Sequence, residues 1–222
     1  MQRALVFVLV LAASLMTAPA ALGATLATTT RCYQELQDVV VSGTGYAPMG
    51  KIAISRDGEP FGTADADAAG NFTVKFPAAE LGRGVRESVS TLTAIDAALN
   101  TASTRYRTSK IFADFAPAKG DPRTLTVRFE VNGFGLLRRN ASVYLHYINP
   151  RGKGVRTVRL GTARGTCGKI TRTRVRHLFP FPEPERGRWI LQFDTNATYA
   201  RATQRSRFIW VRKPVEVFRR GG

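Results

Sequence analysis

The sequence contains few residues that bind transition metals, with two cysteines and two histidines among 222 residues. Cys32, Cys167, His146 and His177 match no four-ligand spacing of a zinc site, so we expect no metal and no cofactor. No serine lies in a nucleophile elbow, and no two carboxylates form a suggestive pair. We therefore interpret both histidines as packed or surface residues, and we expect no catalytic activity.

Acidic residues are scarce in the second half of the chain. Residues 24–108 carry 8 lysines and arginines against 9 aspartates and glutamates, whereas residues 109–222 carry 24 against 7. An abrupt change of this kind predicts two modules, of which the basic one meets an anionic partner.

Only the first residues form a long hydrophobic run. Arg3 precedes an apolar stretch at residues 4–16, and small residues follow between Ala20 and Gly23. Such a stretch covers roughly 20 Å as a helix, less than the ~30 Å core of a bilayer, so residues 1–23 are predicted to be a cleaved signal peptide. An uncleaved anchor is the alternative. No later segment is apolar enough to span a membrane, which predicts a secreted protein, either extracellular or associated with the cell envelope.

Two cysteines in an exported chain favour a disulfide, because the compartment is oxidising. A bond between Cys32 and Cys167 would connect the start of the mature chain to the basic half. The alternative is two buried thiols that do not pair.

Sustained helical periodicity is also absent. Short runs of Val, Ile, Thr, Phe and Tyr are separated by Gly, Pro, Asn and Asp, which predicts an all-β fold. We expect an amino-terminal arm at 24–37 with Cys32, an antiparallel β-sandwich at 38–108 and a basic β-sandwich at 109–222. The predicted strands lie near residues 38–42, 51–56, 63–66, 72–76, 90–96, 102–108, 123–131, 142–148, 154–160, 169–178, 189–193 and 208–213.

Four motifs in the first module occur in a recognisable order. They are V-S-G-T-G-Y-A-P at residues 41–48, S-R-D-G at 55–58, A-D-A-A-G-N-F at 66–72 and L-T-A-I-D at 92–96. Together they resemble the bacterial immunoglobulin-like modules of exported actinobacterial proteins, with one hairpin at D-G and another at A-D-x-x-G-x-F. The second half resembles a partner module that often follows. The resemblance implies an immunoglobulin-like sandwich fold and a secreted setting, and it implies little about function.

The sharpest local pattern is T-R-T-R-V-R at residues 171–176. On a strand, Arg172, Arg174 and Arg176 would share one face at a spacing of roughly 6.5–7 Å. Guanidinium groups in such a row suit the phosphates or carboxylates of a polymer. The alternative is a solvated edge strand that charge protects from aggregation. Cations that are close in sequence would enlarge the patch: Lys169, Arg164, Arg159 and Arg156.

These observations predict a secreted, non-catalytic protein whose basic module binds an anionic surface polymer. Wall polymers, acidic glycans and lipid headgroups all carry the required charge, and nucleic acid would be attracted without sequence specificity. A structural spacer with no specific ligand is the main alternative, and a cryptic enzyme is a lesser one.

Overall fold

The computed structural model describes residues 23–171, 173–201, 203 and 207–218. Within these residues every regular element is a β-strand, and the strands form two successive β-sandwiches. The predicted all-β, antiparallel sandwich fold is therefore confirmed. The predicted signal peptide lies outside the described residues except for Gly23, and Arg172 also lies outside them.

The first sandwich packs a three-stranded sheet, in the order β1-β3-β6, on a five-stranded sheet, in the order β2-β8-β7-β4-β5. Alternating apolar residues explain the packing, since Ile52 and Ile54 on β4 both point into the core. The strands are β1 (Thr25–Thr28), β2 (Cys32–Gln34), β3 (Asp38–Thr44), β4 (Lys51–Arg56), β5 (Glu59–Asp65), β6 (Phe72–Pro77), β7 (Glu87–Asp96) and β8 (Thr101–Ser109).

The segment predicted as an amino-terminal arm contributes two strands to this sandwich. Strand β1 pairs antiparallel with β3, and β2 pairs parallel with β8. Leu26 and Tyr33 are buried in the core, where the Tyr33 ring meets Tyr106 edge to face at 5.7 Å. Residues 24–37 therefore pack as part of the first sandwich.

Of the two hairpins predicted in the first sandwich, the structure contains one. Asp57 and Gly58 join β4 to β5 in a hairpin, and both have positive φ (56° and 92°), as the tightest hairpin turns require. The turn at residues 67–70 follows β5 and precedes β6, but these strands belong to different sheets. The second predicted hairpin is therefore wrong, because this turn carries the chain from one sheet to the other.

The second sandwich packs a three-stranded sheet, in the order β13-β10-β9, on a four-stranded sheet, in the order β12-β11-β14-β15. Trp189, Leu191 and Phe193 alternate along β14 and are all buried, as the sequence predicts. The strands are β9 (Phe112–Ala116), β10 (Thr126–Asn132), β11 (Ser142–Ile148), β12 (Gly154–Thr162), β13 (Arg176–His177), β14 (Gly187–Asp194) and β15 (Trp210–Val217).

The two sandwiches are joined by covalent and polar contacts. The predicted Cys32–Cys167 disulfide is confirmed, with 5.4 Å between the Cα atoms. Asn132 Nδ2 donates a hydrogen bond to Ser109 Oγ (2.6 Å) in the buried junction. At the surface, Arg86 Nη1 lies 3.3 Å from Glu130 Oε2.

Candidate anion-binding surfaces

The segment that carries the predicted arginine row does not form a continuous strand. Lys169 and Ile170 make isolated bridges, and regular pairing begins only at Arg176. Between them the hydroxyl of Thr173 accepts a hydrogen bond from Phe129 N (2.9 Å). This side chain replaces a backbone acceptor in the sheet ladder, so among the described residues the predicted strand over 169–178 forms only at Arg176–His177.

Arg174 and Arg176 therefore lack the shared strand geometry on which the predicted row depends. Thr173 is buried, but both Arg174 and Val175 are exposed, so the side chains do not alternate between two faces. Arg176 is half-buried, and Arg172 lies outside the described residues. Among the described residues, Arg174 is therefore an exposed cation that does not share a strand face with Arg176.

The other predicted cations are separated by the sheet. Arg156 pairs with the core residue Tyr147 across β11 and β12, so it lies on the face between the two sheets. Arg159 pairs with Tyr144 on the opposite face, and its Nη2 donates to Ser142 Oγ (3.3 Å). Arg156 and Arg159 accordingly do not lie on one surface. The described members form no ion pair with any described carboxylate: Arg156, Arg159, Lys169, Arg174 and Arg176.

Arg176 borders an aromatic cavity of about 650 Å³ at the open side of the second sandwich. The Tyr147 hydroxyl in its wall donates a hydrogen bond to Leu178 O (2.8 Å), and burial raises the pKa of this phenol. Behind it the rings of Phe179 and Trp189 pack edge to face at 5.0 Å. This cavity belongs to the core edge and brings together none of the other predicted cations.

His146 belongs to a polar network on the outer face of the four-stranded sheet, in which His146, Gln192 and Asp194 are fully buried. Its Nδ1 lies 2.7 Å from Thr157 Oγ1, and its Nε2 lies 3.0 Å from Asp194 Oδ1. Gln192 Nε2 donates to Asp194 Oδ2 (2.7 Å), and Arg212 Nε donates to Gln192 Oε1 (3.0 Å). The network connects the four strands β12, β11, β14 and β15, which agrees with the interpretation of His146 as a packed histidine.

A concentration of arginines that was not predicted from the sequence lies where the two sandwiches meet. Two cavities of about 770 and 420 Å³ adjoin there and share Arg31 and Thr166 in their linings. We call them together the junction groove. Its arginines come from three separate segments: Arg31, Arg105, Arg107, Arg138 and Arg139.

A local signal for this groove is present in the sequence. T-R-Y-R-T at residues 104–108 has the same alternation as T-R-T-R-V-R at 171–176, and here it does lie on a strand, β8. The net charge of residues 24–108 is close to zero, so the charge count of this module gives no indication of the local cluster of arginines.

Comparisons with known proteins identify no family. No family model and no curated protein matches this chain. Solved structures match only distantly. The tetra-tandem repeat in the extending region of a large adhesion protein has 16% identity and a TM-score of 0.28, covering 88% of this chain and 49% of that one. The human OSCAR ligand-binding domain has 8% identity and a TM-score of 0.33, with coverages of 87% and 97%.

An α-2-macroglobulin from Salmonella that has reacted with methylamine has 11% identity and a TM-score of 0.31, covering 88% of this chain and 14% of that one. This chain thus spans about half or less of the length of two of these three structures. At such scores no function is transferred from them. In the described part of the chain, no helix is long and apolar enough to cross a membrane.

Proposed function

We propose that this protein is secreted and that its basic carboxy-terminal sandwich binds an anionic polymer of the cell surface. The charge distribution carries the proposal, since residues 109–222 hold 24 lysines and arginines against 7 acidic residues. A surplus of this size raises the local concentration of anions around the module. The Cys32–Cys167 disulfide is compatible with the oxidising compartment that secretion implies.

A polymer suits this surface better than a small anion. Arg156 and Arg159 lie on opposite faces of β12, and Lys169 and Arg174 are exposed elsewhere. Each exposed contact is worth under about 1 kcal/mol and is screened by salt. A long chain that reaches several such cations adds these weak contacts together.

Retention on heparin and on isolated cell envelope tests the proposal. We expect the secreted protein to bind both at low salt, with affinity that falls steeply as ionic strength rises. A triple variant, R172Q/R174Q/R176Q, removes three charges from the predicted row. Because that segment is not a regular strand, we expect only a small decrease in proportion to the lost charge. Elution of the unmodified protein at the lowest salt from both matrices would contradict polyanion binding.

A structural spacer is the second candidate, and the junction between the sandwiches favours it. The disulfide, the Asn132–Ser109 hydrogen bond and the Arg86–Glu130 ion pair hold the modules together at separate points. Modules joined in this way would keep a fixed spacing between whatever flanks them. Absence of retention on heparin and envelope, with the fold intact, would favour this function.

A further inference from the structure

We propose that the junction groove is where the polymer binds, and that its ligand is a linear polysaccharide carrying carboxylate or sulfate groups. This inference rests on the proposed function, and it adds that both sandwiches form the site. Arg31, Arg105 and Arg107 belong to the first sandwich, and Arg138 and Arg139 belong to the second. The basic half therefore does not bind alone.

The floor of the groove is the outer face of β8. Arg105 and Arg107 point outward on either side of the buried Tyr106, and they pair with Thr91 and Val89 of β7. Alternate residues of a strand lie roughly 6.5–7 Å apart on one face. This is the spaced arrangement of guanidinium groups that the sequence predicted for residues 172–176.

The second sandwich supplies the opposite wall. Arg138 and Arg139 are exposed in the segment that follows β10. Backbone hydrogen bonds fix the start of this segment. Phe134 N donates to Gly168 O, and Gly135 N donates to Cys167 O, both at 3.0 Å. Since Cys167 is bonded to Cys32, this wall is tied covalently to the first sandwich beside Arg31.

The chemistry of the lining favours an anionic glycan. In the described structure no carboxylate lines either cavity. Arg107 is paired with Glu87 at 2.6 Å, whereas Arg31, Arg105, Arg138 and Arg139 form no ion pair with a described acid. Guanidinium groups bind carboxylates and sulfates in bidentate fashion.

The shape and the remaining polar groups favour a chain over a membrane. Residues that carry hydroxyl groups line the groove beside the arginines and suit the hydroxyls of sugars: Thr91, Ser103 and Thr166. A concave groove admits a linear chain, whereas the headgroups of a flat bilayer cannot follow it.

Two double variants test the groove, R31Q/R105Q on the side of the first sandwich and R138Q/R139Q on the side of the second. Matched controls remove the same charge from exposed residues outside it, K75Q/R83Q in the first sandwich and R186Q/R201Q in the second. Binding to a size-defined heparin oligosaccharide is measured by calorimetry, and thermal melting shows that each variant is folded. We expect each groove variant to lose about tenfold in affinity, and each control to lose less than about threefold.

The outcomes separate the two proposals. If the unmodified protein does not bind heparin, the proposed function fails. If it binds and the groove variants lose no more than their controls, the groove is not the site. If the groove variants keep heparin affinity but lose binding to phosphatidylcholine vesicles that contain phosphatidylglycerol, the assignment of a glycan is overturned.

A charge-conserving variant asks whether guanidinium geometry matters in the groove. R31K/R105K keeps both charges but replaces the planar forks with point charges. We expect an affinity between those of the unmodified protein and R31Q/R105Q. An affinity equal to that of the unmodified protein would show that charge alone acts there, and would contradict bidentate recognition.

Discussion

At the scale of single residues, Gly168 is the position that tolerates a side chain least. It follows Cys167, has a φ of +73°, and a Cβ placed on it would overlap the backbone of Gly135. A side chain at this position is disfavoured for two reasons, because the backbone is left-handed and because the backbone of Gly135 leaves no room for a Cβ. We expect Gly168→Ala to lower the free energy of unfolding by at least about 2 kcal/mol, measured by urea denaturation.

Gly165 provides a matched control for that substitution. It has a φ of +80°, but a Cβ there would meet nothing within 4 Å. Gly165→Ala should therefore show only the conformational penalty, about 1 kcal/mol. Equal losses for the two variants would mean that the contact with Gly135 does not matter.

Leu99 is a residue whose backbone conformation is unfavourable for its type. Its φ is +66° and its side chain is 75% exposed, so little packing compensates for the left-handed backbone. We expect Leu99→Gly to raise the free energy of unfolding by up to about 1 kcal/mol, measured by the same denaturation. A decrease in stability would show that the leucine side chain contributes packing that its exposure does not suggest.

At the scale of elements, two turns of the first sandwich share one construction. Asp67 Oδ1 accepts from Ala69 N and Asn71 N, both at 2.8 Å. Asp96 Oδ1 accepts in the same way from the amides two and four residues later, both at 2.9 Å, and its Oδ2 also accepts from Ala47 N (2.7 Å). The side chain of Asn100, which donates to Asp96 Oδ2 (2.9 Å), and then the backbone amides lower the pKa of Asp96 below its usual range. The backbone amide of Asn71 is the main cause of the lowered pKa of Asp67.

The lowered pKa of Asp96 predicts a pH dependence of stability. The unfolded chain takes up the proton near the ordinary value of about 3.9, whereas the folded chain takes it up only at lower pH. The stabilisation is therefore complete above the unfolded pKa and is lost as pH falls through the folded one. Asp96→Asn should be less stable than the unmodified protein at neutral pH, and this difference should shrink below about pH 4. A difference in the free energy of unfolding that is the same at every pH would contradict this prediction.

Elements with strong alternation could be predicted from the sequence, and those that depend on distant partners could not. Strands β4 and β11 have the predicted bounds, because alternate apolar residues of each strand face the core. Strand β2 has three residues and pairs in parallel with β8, far along the chain, so its own residues carry no period. At residues 169–175 a strand was predicted that the described residues do not form. β-Branched residues favour a strand there, but the hydroxyl of Thr173 takes the place of a backbone acceptor in the sheet.

One part of the candidate site could be predicted from composition, and the other part forms only when the chain folds. The surplus of positive charge after residue 108 is visible by counting residues. The junction groove is not, because Arg31, Arg105 and Arg138 are adjacent only after the sandwiches have formed and the disulfide has joined them.

At the scale of the whole molecule, the Cys32–Cys167 disulfide stabilises the fold and can be removed by a conservative change. It closes a loop of 135 residues, for which loop-closure entropy predicts a stabilisation of about 4–5 kcal/mol. We expect C32S/C167S to lose a stabilisation of this size in urea denaturation. The unmodified protein without reductant should show no alkylatable thiol by intact mass after unfolding, and two alkylated thiols would contradict the bond.

The position of that disulfide also determines how the molecule responds to mechanical tension. A pull on the two ends of the chain passes from the residues before Cys32 directly across the sulfur atoms to the residues after Cys167. The 135-residue loop between them, which contains most of the first sandwich and the first strands of the second, cannot be pulled into an extended chain while the bond is intact. Reduction of the bond would allow this loop to extend under the same force, and its 135 residues would add roughly 450 Å to the end-to-end length of the chain.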